Sequence, residues 1–176
     1  MKALLVIDVQ KSIVNFKDFT DELSKIEHIM KDFKKNSEPI IFMRHVDDVK
    51  DSPLYRHSEG SELYSPLKHY ADHIVEKTTP SSFYQTDLSN LLEKLGVNHV
   101  YITGFNTEFC CLFTAISGFD RGYDVTFIED ATGTVNDENT YEMKGLDIRD
   151  FVGTALHWSN TIEVLEFDEY LEEYHV

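Results

Sequence analysis

Short apolar runs, each followed by a stretch with helical spacing, constrain this chain more than any other feature of its sequence. The runs fall at residues 3–9, 40–43, 73–75, 99–103, 125–128 and 161–165, and several are nearly continuous in Val, Ile and Leu. Strands covered on both faces read this way, whereas strands with one wet face alternate apolar and polar residues. Between the runs, Phe19, Leu23, Ile26, Met30 and Phe33 recur at helical spacing. Residues 87–95 make a second helical pattern that stops at Gly96, a third runs from Cys110 to Gly122, and a fourth covers residues 138–158. This alternation predicts an α/β fold in three layers, α/β/α, around a Rossmann-like, mainly parallel sheet of about six strands with right-handed crossovers. In such a sheet, functional residues gather beyond the carboxyl ends of the strands.

At 176 residues the chain suits one domain, residues 1–176, with a substantial core. The formal net charge of −16 argues against nucleic acid and against an anionic membrane face, both of which call for a basic surface. The partner expected instead is a small molecule. The N-terminus enters a strand at once, with no basic segment followed by an apolar one, so the expectation is a cytoplasmic protein without a leader or membrane span. Cys110 and Cys111 are the two cysteines. Neighbours in sequence close a strained disulfide ring, so both are expected as free thiols in a reducing compartment.

Three chemically capable residues converge on one edge of the predicted sheet. Asp8 closes the first strand, Lys77 follows the third, and Cys110 stands where the fourth gives way to a helix, with Gly104 permitting a sharp turn before it. A thiol at a helix N-terminus is expected to have a lowered pKa, and the free N–H groups there can hold an oxyanion. Each residue also has a plain structural role: an aspartate can cap a turn, a lysine can be solvated, and a cysteine can simply pack. Their convergence favours a catalytic triad. Cys111 lies about 100° around the helix from Cys110 and shares a face with Ala115 and Gly118, so it is expected in the core.

The segment Gly104-Phe105-Asn106-Thr107-Glu108-Phe109-Cys110-Cys111-Leu112-Phe113-Thr114-Ala115 also resembles the isochorismatase-like cysteine hydrolases, the superfamily that includes nicotinamidases and N-carbamoylsarcosine amidohydrolase. Gly104, Thr107, Cys110, Thr114 and Ala115 fit its G-x-x-T-x-x-C-x-x-x-T-A run. Leu4-Leu5-Val6-Ile7-Asp8-Val9-Gln10, then Lys77 with Ser81-Ser82-Phe83, Thr86 and Leu88, and finally Gly122-Tyr123-Asp124-Val125 with Asp130-Ala131-Thr132, match in the same order. The resemblance implies an amidohydrolase in which Asp8 accepts the thiol proton, Cys110 attacks a carbonyl carbon to give a thioester, and Lys77 stabilises both charges. It further implies an oxyanion hole of the Asn106 and Cys110 backbone N–H groups, a cis peptide between Phe105 and Asn106, and a homo-oligomer, dimer or tetramer.

Nicotinamidases of this superfamily carry a metal beside the triad, with an Asp-x-His motif after the second strand. Here the order is His45-Val46-Asp47, with His57, His69 and His73 later, so neither metal nor other cofactor is expected. The irregular stretch 45–70 is too long for an ordinary connection and is expected to serve the site. Substrate contacts are expected from Phe16, His45, Tyr84 and Phe109, while Phe83 belongs to the core. The acidic tail, residues 166–173, reads as a helix whose apolar stripe docks on the body or on a second subunit. The nearest rival function is a metal-dependent nicotinamidase. A non-enzymatic receiver-like signalling domain shares the sheet, the early Asp and the distant Lys, but lacks the second acidic residue after the first strand. No G-x-G-x-x-G follows that strand either, which argues against a dinucleotide-binding module.

Overall fold

The computed structural model describes residues 1–174. Six strands, β1 (Lys2–Ile7), β2 (Ile40–His45), β3 (His73–Lys77), β4 (His99–Phe105), β5 (Asp124–Gly133) and β6 (Glu163–Leu165), form one sheet. Its order is β3-β2-β1-β4-β5-β6, and every neighbouring pair is parallel. The helices are α1 (Lys11–Val14), α2 (Thr20–Lys35), α3 (Ser65–Lys68), α4 (Leu88–Leu95), α5 (Leu112–Phe119), α6 (Ile148–Trp158) and α7 (Phe167–Tyr174).

The near-continuous apolar runs fill both faces of this sheet. Along β1, Ala3, Leu5 and Ile7 face a core shared with Leu88 and Leu92 of α4, Ala115 of α5 and Val152 and Leu156 of α6. Leu4 and Val6 face the other way, onto Ile26, Ile29, Met30 and Phe33 of α2 and Tyr170 of α7. The acidic tail therefore docks on the body: Tyr170 is buried, stacking on Tyr174 and meeting Tyr101 edge-on.

Several element boundaries differ from the sequence expectation, each for a local reason. The third helical pattern starts at Thr107, as a wide π turn spanning Thr107–Cys111 that leads into α5. Cys110 thus sits inside a helical turn, not at its first residue. The fourth helix begins only at Ile148, because Gly145 takes a left-handed φ of 81° and Asp147 caps the helix by accepting from Asp150 N at 3.2 Å. β5 runs on to Gly133 because a register shift against β4, between Ile102 and Gly104, lets pairing resume at Thr132 and Gly133. Gly104 is not a turn residue. It lies within β4 at φ 114°, pressed so closely on β1 that a Cβ would overlap the backbone of Ile7.

The strand order reverses direction between β1 and β4. Chain leaving β1 passes to β2 and β3 on one side, while chain leaving β4 passes to β5 and β6 on the other. At such a switch point ligands bind beyond the carboxyl ends of the strands, where a crevice is expected.

Candidate active site

The crevice brings together Asp8, which follows β1, Lys77, which ends β3, and Cys110, in the turn after β4. Asp8 takes a left-handed φ of 49°, which swings the chain sharply at the sheet edge. Lys77 reaches past the end of β2, and its Nζ donates to Asp8 Oδ2 at 2.8 Å, with both side chains sealed from solvent. Its other contacts are His45 Nδ1 at 3.0 Å and the carbonyl of Thr79 at 3.2 Å. His45 Nδ1 also stands 3.6 Å from Asp8 Oδ2 and 3.7 Å from Cys110 Sγ. Asp8 Oδ1 is buried without a hydrogen-bond partner.

The charges hold one another in place. Burial would raise the pKa of Asp8, but the Lys77 ammonium, aided by His45 and the Cys110 thiol, brings it below the usual carboxylate value. Burial would likewise neutralise Lys77, yet the Asp8 charge and then Cys110 keep it above the ordinary lysine value. Cys110 runs against the sequence expectation. Burial, followed by the negative charge of Asp8, pushes its thiol well up despite the opposing pull of Lys77. The resting arrangement is therefore carboxylate, ammonium and neutral thiol, because a second anion in a dry pocket costs more than one lysine offsets.

The turn carrying Cys110 is fastened from several sides. The Phe105–Asn106 peptide is cis. Phe109 N and Cys111 N both donate to Asn106 O, at 3.2 and 3.1 Å. The N–H of Asn106 makes no hydrogen bond among the described residues. Thr107 is buried against Thr132, hydroxyl to hydroxyl at 2.9 Å, and Thr114 Oγ1 both donates to Ser82 Oγ at 2.8 Å and accepts from Ser82 N at 3.1 Å. The two threonines of the motif thus tie the turn of Cys110 to β5 and to the segment after Lys77.

Two side chains with no role assigned from sequence complete this scaffold. Gln10 is buried, donates to His45 O and Ser61 O at 2.8 Å each, and accepts from His45 N at 2.8 Å, which binds the irregular 46–64 stretch to the site. Glu108 Oε1 accepts from Thr134, Asn136 and Tyr141 at 2.9, 2.7 and 2.9 Å, strapping the chain after β5 onto the turn of Cys110. A polar residue inside an otherwise apolar strand-to-helix junction was the available signal for each.

The remaining expected contacts are uneven. Cys111 and Phe83 are core residues, and both cysteines are free. Phe109 adjoins Cys110 in sequence and is 41% exposed, while Phe16 and Tyr84 lie on the surface at 66% and 54% exposure. His57 and His69 pack edgewise or tilted against Tyr55 and Tyr70. Among the described residues the group with metal-ligating potential is Asp8, His45 and Cys110, whose ligand atoms lie within 4.8 Å of one another. A dication does not fit there alongside Lys77, whose ammonium already stands 2.8 Å from the carboxylate and 3.0 Å from the imidazole. No helix of the described residues is long and apolar enough to cross a membrane.

Known proteins share this sequence and this arrangement of strands. The family described as Isochorismatase domain matches residues 2–158. Nicotinamidase 3 of Arabidopsis thaliana is 32% identical over 157 residues, covering 77% of this chain and 75% of its own length. The uncharacterized isochorismatase family protein YaaI of Bacillus subtilis (strain 168) is 32% identical over 156 residues, covering 78% and 83%. The crystal structure of a candidate isochorismatase from Burkholderia xenovorans LB400 superposes with a TM-score of 0.87 at 28% identity, over 99% of this chain and 87% of that one. With a six-stranded parallel sheet in common and the family matched over most of its length, this chain belongs to the isochorismatase-like cysteine hydrolase superfamily and is a hydrolase of the isochorismatase family.

Proposed function

We propose that the protein hydrolyses a C–N bond of a small amide, ureide or carbamoyl compound through a thioester on Cys110, with Asp8 and Lys77 completing the triad and no metal taking part. The observation that carries this reading is the sealed Lys77–Asp8 ion pair at 2.8 Å beside a buried but not wholly closed thiol, Cys110 being 7% exposed. Such a pair gives the thiol a nearby base that stays ionised.

As Sγ attacks the carbonyl carbon, Asp8 takes the thiol proton, for which its unpartnered Oδ1 is available. The thiolate then exists only along the path of attack, which agrees with a raised thiol pKa in the resting protein. The backbone N–H groups of Asn106 and Cys110 receive the developing oxyanion. Collapse of the tetrahedral species breaks the C–N bond, and the proton held on Asp8 passes to the leaving nitrogen. Asp8 next removes a proton from the incoming water, whose attack on the thioester releases the acid and restores the thiol. Lys77 keeps Asp8 ionised between these transfers and offsets the negative charge at sulfur. Phe16, His45, Tyr84 and Phe109 would line the substrate's approach, and the reducing cytoplasm suits two adjacent free thiols.

The likeness to a plant nicotinamidase supports a second reading, in which nicotinamide or pyrazinamide is the substrate and a metal assists. One experiment separates the two. The purified protein is screened against nicotinamide, pyrazinamide, N-carbamoyl compounds, ureides and short-chain amides, with and without chelator. The favoured reading predicts release of ammonia or amine that chelator leaves unchanged; activity lost to chelator and restored by zinc, iron or manganese would establish the second.

A further inference from the structure

An ammonium carries three protons and no lone pair, and Lys77 Nζ stands 2.8 Å from Asp8 Oδ2, 3.0 Å from His45 Nδ1 and 3.2 Å from Thr79 O. The contact with Nδ1 orients the proton of His45. Nδ1 must offer its lone pair to Lys77, so it carries no proton, and the neutral ring holds its proton on Nε2. With that lone pair engaged, Nδ1 is not free to take the Cys110 proton, although it lies 3.7 Å from Sγ.

The other side of the ring faces outward. His45 Nε2 has no hydrogen-bond partner among the described residues, yet it is not among the unpartnered atoms sealed from solvent, and the side chain keeps 19% of its exposure while Asp8 and Lys77 keep almost none. Gln10 holds the backbone of His45 through both its N–H and its carbonyl at 2.8 Å. The result is a solvent-accessible Nε2 on a ring whose Nδ1 lies 3.7 Å from Cys110 Sγ.

We propose that His45 is a specificity-determining residue: a neutral imidazole that holds Lys77 through Nδ1 and gives its Nε2–H to a hydrogen-bond acceptor on the substrate. The substrate class follows. It is an amide carrying, on the atom next to the carbonyl carbon attacked by Cys110, a second hydrogen-bond acceptor such as a further carbonyl oxygen, in preference to an amide with a plain alkyl chain there. A donor that a bound ligand covers but leaves unpaired disfavours that ligand. The choice of substrate class rests on the amide-hydrolase reading; the tautomer and the donor do not, and they can be tested without any turnover.

Long-range 1H–15N NMR of the histidine rings reads the tautomer directly. We expect a single neutral His45 with a proton on Nε2 at neutral pH; a proton on Nδ1, or an imidazolium, would overturn the proposal. The donor is tested with two alkylating probes of Cys110. Iodoacetamide has an amide oxygen next to the carbon attacked, and methyl iodide has no acceptor. Asparagine can place its side-chain oxygen where Nδ1 stands, and glutamine can place its amide where Nε2 stands. His45→Asn should lower the ratio of the iodoacetamide rate to the methyl iodide rate about fivefold, the order expected for one lost hydrogen bond. His45→Gln should restore the wild-type ratio of the two rates. A ratio that both variants leave unchanged, or that both reduce equally, would show that His45 only braces the loop. Turnover in the amide screen is a separate outcome: its absence would sink the amide-hydrolase reading while these rates still decide the role of His45.

Discussion

Asp8 and Cys110 are set against each other by their surroundings, and the mechanism we propose depends on that opposition. Lys77 holds the carboxylate ionised, while burial and Asp8 hold the thiol neutral, so removing either partner should abolish turnover for a different reason. Cys110→Ser should lose at least about a thousandfold in kcat, since a hydroxyl is a far weaker nucleophile, and Asp8→Asn should be similarly impaired because an amide cannot take the proton. Steady-state kinetics on any substrate found by the screen checks both, with Cys111→Ser, in the core, as the comparison. Glu129 offers an independent test on stability. Burial, followed by the charges of Glu166 and Asp150, pushes its carboxyl up to about 7. A folded-state pKa raised above the unfolded one means that folding favours the protonated form. Stability is then highest below the ordinary carboxylate value and declines as pH rises through about 7. Glu129→Gln should accordingly raise the Tm by about 2 °C at pH 8, after allowance for partial exposure, and by much less at pH 5, as thermal unfolding at the two pH values would show.

Elements are where sequence and structure agree most and where their disagreements teach most. Six apolar runs gave six strands, because a doubly covered sheet leaves a plain imprint on Val, Ile and Leu, and the helical face of α2 was readable from Phe19 to Phe33. Boundaries were less legible. The π turn at Thr107–Cys111 depends on Asn106 O receiving both Phe109 N and Cys111 N, a backbone arrangement that no side-chain pattern announces. That Asp8, Lys77 and Cys110 meet was legible from motif and strand order, whereas the contacts of Gln10, Glu108 and His45 emerged only once three loops were seen together. Gly104 shows how the same residue can be noticed for the wrong reason. Its φ of 114° and its contact with Ile7 make it a packing point between β4 and β1, not a turn. Gly104→Ala should therefore cost more than a turn glycine would, roughly 3 kcal/mol or more from overlap and backbone strain combined. Urea denaturation would measure it; a loss under 1 kcal/mol would mean that the strands separate easily.

On the scale of the whole molecule, two faces of one sheet are each closed by a helical layer, and we propose that the chain is a single domain that unfolds in one transition. We also propose a homo-oligomer. Phe109, Phe113, Ile116 and Phe119 line the outside of the nucleophile's turn and α5 at 41–48% exposure, an apolar ridge on a protein of net charge −16. Light scattering should give a dimer or tetramer that Phe113→Glu converts to monomer; a wild-type monomer would refute it. The central claim is that catalysis passes through an acyl group on Cys110, and its most direct test is the intact mass of the protein quenched in acid during turnover. The account predicts a species heavier by the acyl portion of the substrate, mapped to Cys110 by peptide mass, cleaved by hydroxylamine and missing from Cys110→Ser. Sustained turnover with no such species, and with Cys110→Ser still active, would contradict it.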